Sequence, residues 1–124
     1  MAAPVVLVLE DNAELRHVLK EALGAEGYGV LAARDQAEAL EIIRGNRVDL
    51  LISDMSESRG DGGLDELRAE FPALPVVALS SGAGHHPGLF FGAWQAPKGF
   101  RTLAKPFRLG ELLAVSREVL GAAR

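Results

Sequence analysis

The feature that most restricts the fold is a change of hydrophobic period that recurs along the chain. Val5-Val6-Leu7-Val8-Leu9 is a continuous aliphatic run, the pattern of a strand covered on both faces. After it, Leu15, Val18, Leu19, Ala22 and Leu23 recur at i, i+3, i+4, i+7 and i+8, which places them on one side of a helix. Asp11 or Asn12 can cap the start of that helix, since a short polar side chain there accepts from an orphan main-chain N–H. Gly24 or Gly27 can end it.

The alternation continues. Tyr28 to Ala33 is expected to be a second strand, weakened by Gly29. Asp35 followed by Glu38 fits a capping box ahead of a helix through Leu40, Ile42 and Ile43. Val48 to Ser53 is the third strand. Leu64, Leu67 and Phe71 mark a third helix, Pro75 introduces a fourth strand at Val76 to Leu79, and Phe100 to Ala104 is the fifth. A closing helix is expected to bury Leu109, Leu112, Leu113, Val119 and Leu120. Between Ser81 and Gly99 the period is lost. Gly82, Gly84, Pro87, Gly88, Gly92, Pro97 and Gly99 oppose a regular helix, at ~1 kcal/mol for each interior glycine and ~3 for each proline. That segment is expected to be a loop or a short, irregular fourth helix.

Strand and helix in alternation predict one α/β domain over residues 1–124, a doubly wound parallel sheet with helices on both faces. Its length matches the common domain size of about 100–150 residues. Right-handed crossovers bring the C-terminal ends of the strands to one edge, where open sheets of this kind bind ligands.

Composition removes several classes of function. With 13 basic against 17 acidic side chains and no basic run, the chain lacks the electrostatic footprint of a nucleic-acid binder. The absence of cysteine excludes a disulfide scaffold, a thiol nucleophile and cysteine-ligated zinc or iron–sulfur sites. The longest apolar run, Val5 to Leu9, is far short of the ~20 residues of a membrane span, and Met1 to Pro4 does not have the form of a signal peptide. A cytoplasmic protein that binds neither nucleic acid nor membrane is expected.

Chemistry-bearing residues gather at the strand ends. Glu10 and Asp11 follow the first strand, Asp54 the third, Ser80 the fourth and Lys105 the fifth. If the first and third strands are neighbours, three carboxylates meet at one edge and repel each other unless a proton or cation intervenes. A hard divalent cation such as Mg²⁺ suits that donor set. A carboxylate nucleophile, a divalent metal, a hydroxyl and an ammonium at one edge suit phosphoryl transfer.

Over nearly its whole length the chain resembles the receiver domain of response regulators in two-component signalling. The resemblance is carried by Glu10-Asp11, by Val48-Asp49-Leu50-Leu51-Ile52-Ser53-Asp54, by Asp61-Gly62, by Ser80 after Pro75-Val76-Val77-Ala78-Leu79, and by Lys105-Pro106-Phe107. It implies a five-stranded sheet of order 2-1-3-4-5. It also implies that Asp54 is a phosphoacceptor, attacking the phosphohistidine of a sensor histidine kinase or a histidine phosphotransfer protein. Asp11, Asp54 and the main-chain carbonyl of Ser56 would hold Mg²⁺, with Glu10 acting mainly through bound water. Lys105 would pair with a phosphoryl oxygen, and Ser80 would move to hydrogen-bond another. The chain would then be a signalling phosphoprotein, with no enzymatic activity beyond Mg²⁺-dependent self-phosphotransfer and autodephosphorylation.

The sequence also departs from the family pattern. Thr102 stands where the family usually has an aromatic switch residue, and Ser58 where it usually has a proline. With the broken fourth helix, these departures set the output face apart from the phosphorylation site. Only Gly121 to Arg124 follow Leu120, so a single-domain receiver is expected, acting alone or as a piece of a longer chain. The segment from Lys105 to Leu113 resembles the ends of receivers fused to hybrid histidine kinases.

Each residue also has a purely structural reading: Asp11 as a helix cap, Asp54 as a turn residue, Ser80 as a strand-end hydroxyl, Lys105 as a solvated charge. Their joint placement is what favours function. His85-His86 in a glycine- and proline-rich loop reads as solvated, and Phe90, Phe91 and Trp94 as a local apolar cap over the sheet edge. Two alternatives stand beside the phosphoacceptor. One is a pseudo-receiver, an interaction module whose switching is independent of phosphate. The other is an aspartyl hydrolase, disfavoured because Ser56 stands where its second acid belongs.

Overall fold

The computed structural model describes residues 3–54, 67, 69–80 and 100–122, with the main chain alone at Ser80, Phe100 and Ala122. Its elements are β1 (Val5–Leu9), α1 (Ala13–Ala25), β2 (Gly29–Ala33), α2 (Gln36–Gly45), β3 (Leu50–Asp54), β4 (Val76–Ser80), β5 (Phe100–Ala104) and α3 (Leu109–Ala122). The strands form one parallel sheet in the order β2-β1-β3-β4-β5. Strand order and alternation agree with the expectation from sequence. The expected fourth helix at 82–99, His85, His86, Phe90, Phe91, Trp94, Ser56, Ser58, Leu64 and Asp61-Gly62 lie outside the described residues.

Side chains alternate across a strand, so each strand supplies two cores. Val6, Val8, Leu50, Ile52, Val77 and Leu79 face Leu19 and Leu23 of α1 and Leu112, Val119 and Leu120 of α3. Leu7, Leu9, Leu51, Val76 and Ala78 face Ala39 and Ile43 of α2 together with Leu67. β1 and β3 are buried on both faces, which explains their unbroken aliphatic sequence. Truncating a residue such as Leu51, fully buried between sheet and helix, to alanine would cost about 2–5 kcal/mol.

Local signals act as expected, with shifts at the boundaries. Asn12, rather than Asp11, caps α1, its side chain accepting from the Leu15 N–H at 2.9 Å. α1 ends in a Schellman turn: Tyr28 N–H donates to the Leu23 carbonyl and Gly27 N–H to the Gly24 carbonyl, with Gly27 at φ 96°. Glu38 N–H donates to Asp35 at the start of α2, while the Glu38 carboxylate accepts from Arg34 N–H. β2 begins at Gly29 rather than Tyr28. β3 runs from Leu50 to Asp54 rather than from Val48 to Ser53, and Asp49 just ahead of it is tied to Val5 twice, its N–H donating to the Val5 carbonyl at 2.7 Å and its carboxylate accepting from the Val5 N–H at 2.8 Å.

Two expected core residues are exposed. Val18 and Leu109 retain 42% and 39% of their accessible surface. Val18 lies at the margin of the apolar side of α1, where it lines the open depression, while Leu15 and Leu19 on the same side pack into the core. Leu109 opens α3 just beyond Lys105, close to the same edge.

Candidate functional site

The parity of the strands explains how the site is assembled. β1 and β3 pair with Val8 opposite Ile52 and Leu9 opposite Ser53, so the next step brings Glu10 beside Asp54. Glu10 continues the row of Val6 and Val8, and Asp54 the row of Leu50 and Ile52, so both acids project on the face covered by α1 and α3. Lys105 continues the row of Leu103, whose partner across the sheet is Leu79, itself opposite Asp54. The same face thus receives an ammonium long enough to reach back over β4.

The resulting geometry is tight. Carboxylate oxygens of Glu10, Asp11 and Asp54 all lie within 4.8 Å of one another. Lys105 Nζ donates to Asp54 Oδ2 at 2.9 Å. Glu10 and Asp54 are almost wholly buried, at 2% and 6% exposure, whereas Asp11 faces solvent. With Asn12, Glu14, Leu15 and Val18 they line an open depression of about 440 Å³. A larger groove of about 820 Å³ lies at the opposite edge of the sheet, around Val48, Asp49, Phe71 and Leu74. Its charges are paired with one another, Arg44 with Glu70 and Arg47 with Asp49, so it gathers no comparable cluster.

Electrostatics at the acidic edge do not balance within the described residues. Two unit charges 4 Å apart interact by about 4 kcal/mol at an effective dielectric of 20. Three ionised carboxylates against the one ammonium of Lys105, which attracts both Asp54 and Glu10, leave an excess of negative charge at this edge. Part of the imbalance is relieved by protonation: burial pushes the Glu10 carboxyl up to about 7. The Asn12 N–H, which donates to Glu10 Oε2 at 3.0 Å, opposes that shift; Asp54 reinforces it and Lys105 opposes it. The other oxygen, Oε1, is buried without a hydrogen-bond partner while Glu10 is ionised. A buried anionic oxygen in that position calls for a proton or a cation.

The donor set fits a hard divalent cation. All three side chains offer oxygen and line a solvent-open depression where water can complete the shell, which suits Mg²⁺ better than a softer metal. Ser80, the last residue of β4, lies opposite Ala104 at the same edge as Asp54.

Two contributors escaped the reading of the sequence. Asn12 serves Glu10 through its main-chain N–H as well as capping α1. Arg16, one helical turn past that cap, donates from Nη1 to the Glu10 carbonyl at 2.9 Å. The spacing of four residues from the cap places Arg16 beneath the turn that carries the acids but does not specify which atom its guanidinium reaches.

Known proteins with this pattern converge on one family. The sequence model described as the response regulator receiver domain matches residues 6–117. The chain is 36% identical over 120 residues to the response regulator MprA of Mycobacterium sp. (strain KMS), covering 93% of this chain and 50% of that protein. It spans about half the length of the curated relatives it matches. Among solved structures, a response regulator receiver protein from Sinorhizobium medicae superposes with a TM-score of 0.81 at 25% identity, over 98% of both chains. A protein described as a transiently phosphorylated switch in bacterial signal transduction superposes with a TM-score of 0.80 at 26% identity, over 99% of this chain and 98% of the other. Fold, strand order and the match over residues 6–117 together make this chain a member of the response regulator receiver domain family.

Proposed function

We propose that the chain is a phosphoacceptor in a two-component phosphorelay and takes a phosphoryl group on Asp54 from a phosphohistidine. The donor would be a sensor histidine kinase or a histidine phosphotransfer protein. The observation that carries the reading is the buried Asp54 carboxylate, held by Lys105 at 2.9 Å and crowded by Glu10 and Asp11. A carboxylate so placed is a fixed nucleophile, and its surroundings are short of positive charge before any phosphate arrives.

In the transfer, a carboxylate oxygen of Asp54 forms the new bond to phosphorus as the phosphorus–nitrogen bond of the donor breaks, its electron pair returning to the imidazole. Lys105 stands where it can pair with the added charge. Asp11 and Asp54, with the main-chain carbonyl of Ser56, would hold Mg²⁺, and Glu10 would act through bound water. Bound there, the ion offsets the charge of carboxylate and phosphoryl oxygens. Ser80, at the end of β4, would supply a hydroxyl to the modified side chain, giving the phosphorylated state a contact that the free state lacks; a population shift requires such a difference. The protein would act as a signalling module in the cytoplasm and would regulate a downstream partner. Among the described residues no helix is long and apolar enough to cross a membrane.

A second reading is favoured at one position. Thr102 lies exposed on β5, opposite Ala78 of β4, and offers no ring to move between buried and exposed positions. A receiver that accepts phosphate yet binds its partner independently of it would fit that residue.

The deciding measurement is incubation with Mg²⁺ and a small acyl-phosphate donor, followed by intact mass. A gain of one phosphoryl group, lost in Asp54→Asn, is expected, and Asp11→Asn should bind Mg²⁺ far more weakly while keeping the fold. No adduct, or an adduct that survives Asp54→Asn, overturns the assignment.

A further inference from the structure

The pairing of β1 with its neighbours ends at Leu9, opposite Ala33 on one side and Ser53 on the other. Glu10 is therefore the first residue whose carbonyl lies beyond the ladder, and its peptide unit joins the two acids of the site. Its N–H donates to the Ala33 carbonyl at 3.0 Å, which ties one side of the residue to β2. Its carboxylate accepts from Asn12 N–H, which ties the side chain to the turn. The carbonyl is taken by a side chain from the helix: Arg16 Nη1 at 2.9 Å.

We propose that Arg16 is a positioning residue for the acidic site, holding the Glu10–Asp11 peptide from α1 so that both carboxylates converge on Asp54. Rotation of that peptide would swing Asp11 relative to Glu10 at almost no cost in covalent energy, because only the soft dihedrals on either side of it change. The guanidinium removes this freedom. Arg16 is half-buried, and its own N–H closes the first turn of α1 on the Asn12 carbonyl at 2.9 Å. Cap, turn and arginine thus form one unit in which the helix start, the acid pair and the strand end share a fixed geometry. Groups that orient ligands in this way typically change metal affinity by about 10–100-fold when removed.

The inference rests on the proposed function, and two readouts keep the two apart. The first is Mg²⁺ affinity by calorimetry for wild type, Arg16→Met and Arg16→Gln, with Arg117→Met as a control, since Arg117 is an exposed residue on α3 facing Glu26. Affinity should fall roughly tenfold in Arg16→Met and stay at the wild-type value in Arg117→Met. The second is amide hydrogen exchange in the metal-free protein. The Asn12 amide, which is bonded to Glu10, should exchange faster in Arg16→Met, with the amides of α3 and the later turns of α1 unchanged. Faster exchange throughout the protein would mean a general stabilising role and would overturn the proposal, as would wild-type affinity in both Arg16 variants. If Arg16→Met does not fold, Arg16→Gln is held to the same criteria, because its shorter amide cannot span to the Glu10 carbonyl from the same helical position. If the wild type binds no Mg²⁺, the proposed function falls, and the Asn12 amide still decides the role of Arg16.

Discussion

β3 is bracketed by two aspartates in opposite circumstances. Asp49, just before the strand, accepts from the Val5 N–H at 2.8 Å through one oxygen and from Arg47 at 3.2 Å through the other. Asp54, the last residue of the strand, has Lys105 on Oδ2 but also the carboxylates of Glu10 and Asp11 within 4.8 Å. The first carboxylate fastens the start of β1 to the start of β3. The second is placed among charges of its own sign. Similar side chains beside one strand thus differ in effect: the N-terminal edge of the sheet uses its charges to hold the fold, and the C-terminal edge crowds charges of one sign together.

The widest separation between the two should appear in phosphoryl acceptance. Asp54→Asn should abolish incorporation from an acyl-phosphate donor, whereas Asp49→Ala should leave it intact by intact-mass analysis. Loss in both variants would erase the distinction.

Stability should separate them next. Asp49→Ala leaves the part-buried Val5 N–H without its acceptor and should lower the unfolding free energy by about 1–3 kcal/mol in urea titration. Glu10→Gln should instead stabilise the metal-free protein above neutral pH, because it removes a buried charge that has no partner for Oε1.

The pH profile sharpens the same point. Glu10 holds its proton up to about 7 in the folded protein, against 4.5 ordinarily. Its contribution to stability is therefore fully present below about 4.5 and is lost as pH rises through about 7. Denaturant midpoints of metal-free wild type should fall across that window relative to Glu10→Gln. A difference between the two proteins that stays flat over the window would show that Glu10 is not strained.

The smallest effect is expected at the N-terminal edge. Arg44 and Glu70 pair through two hydrogen bonds on an exposed surface, and the guanidinium holds the Glu70 carboxyl below its usual range. Glu70→Gln should shift the midpoint least of these variants, and the shift should shrink in ~1 M salt, where the screening length is about 3 Å. A shift that grows with salt would contradict an exposed ion pair.

How much of this could be read beforehand follows from the physics of each part. The strands and the charged residues at their ends were visible, because apolar runs and the points where they stop are local properties, whereas the order 2-1-3-4-5 that brings Glu10, Asp11, Asp54 and Lys105 together came from the family resemblance. The exposure of Val18 was not visible, because helical spacing shows which side of a helix is apolar but not which of its residues stands at the margin of that side. The unpartnered Glu10 oxygen and the reach of Arg16 were equally hidden. Both depend on where a side chain ends after several rotatable bonds, and no spacing rule specifies that.

The register that sets Leu9 against Ser53 has one more consequence, for folding. A slip of one residue between β1 and β3 would turn Glu10 or Asp54 to the opposite face and disperse the acids. Any cation that binds the assembled carboxylates stabilises only the correctly paired sheet, by mass action in proportion to its occupancy. With a cation bound, the acidic edge would work as a proofreader of strand alignment, with a preference for the native pairing that strengthens as the surrounding cation concentration rises.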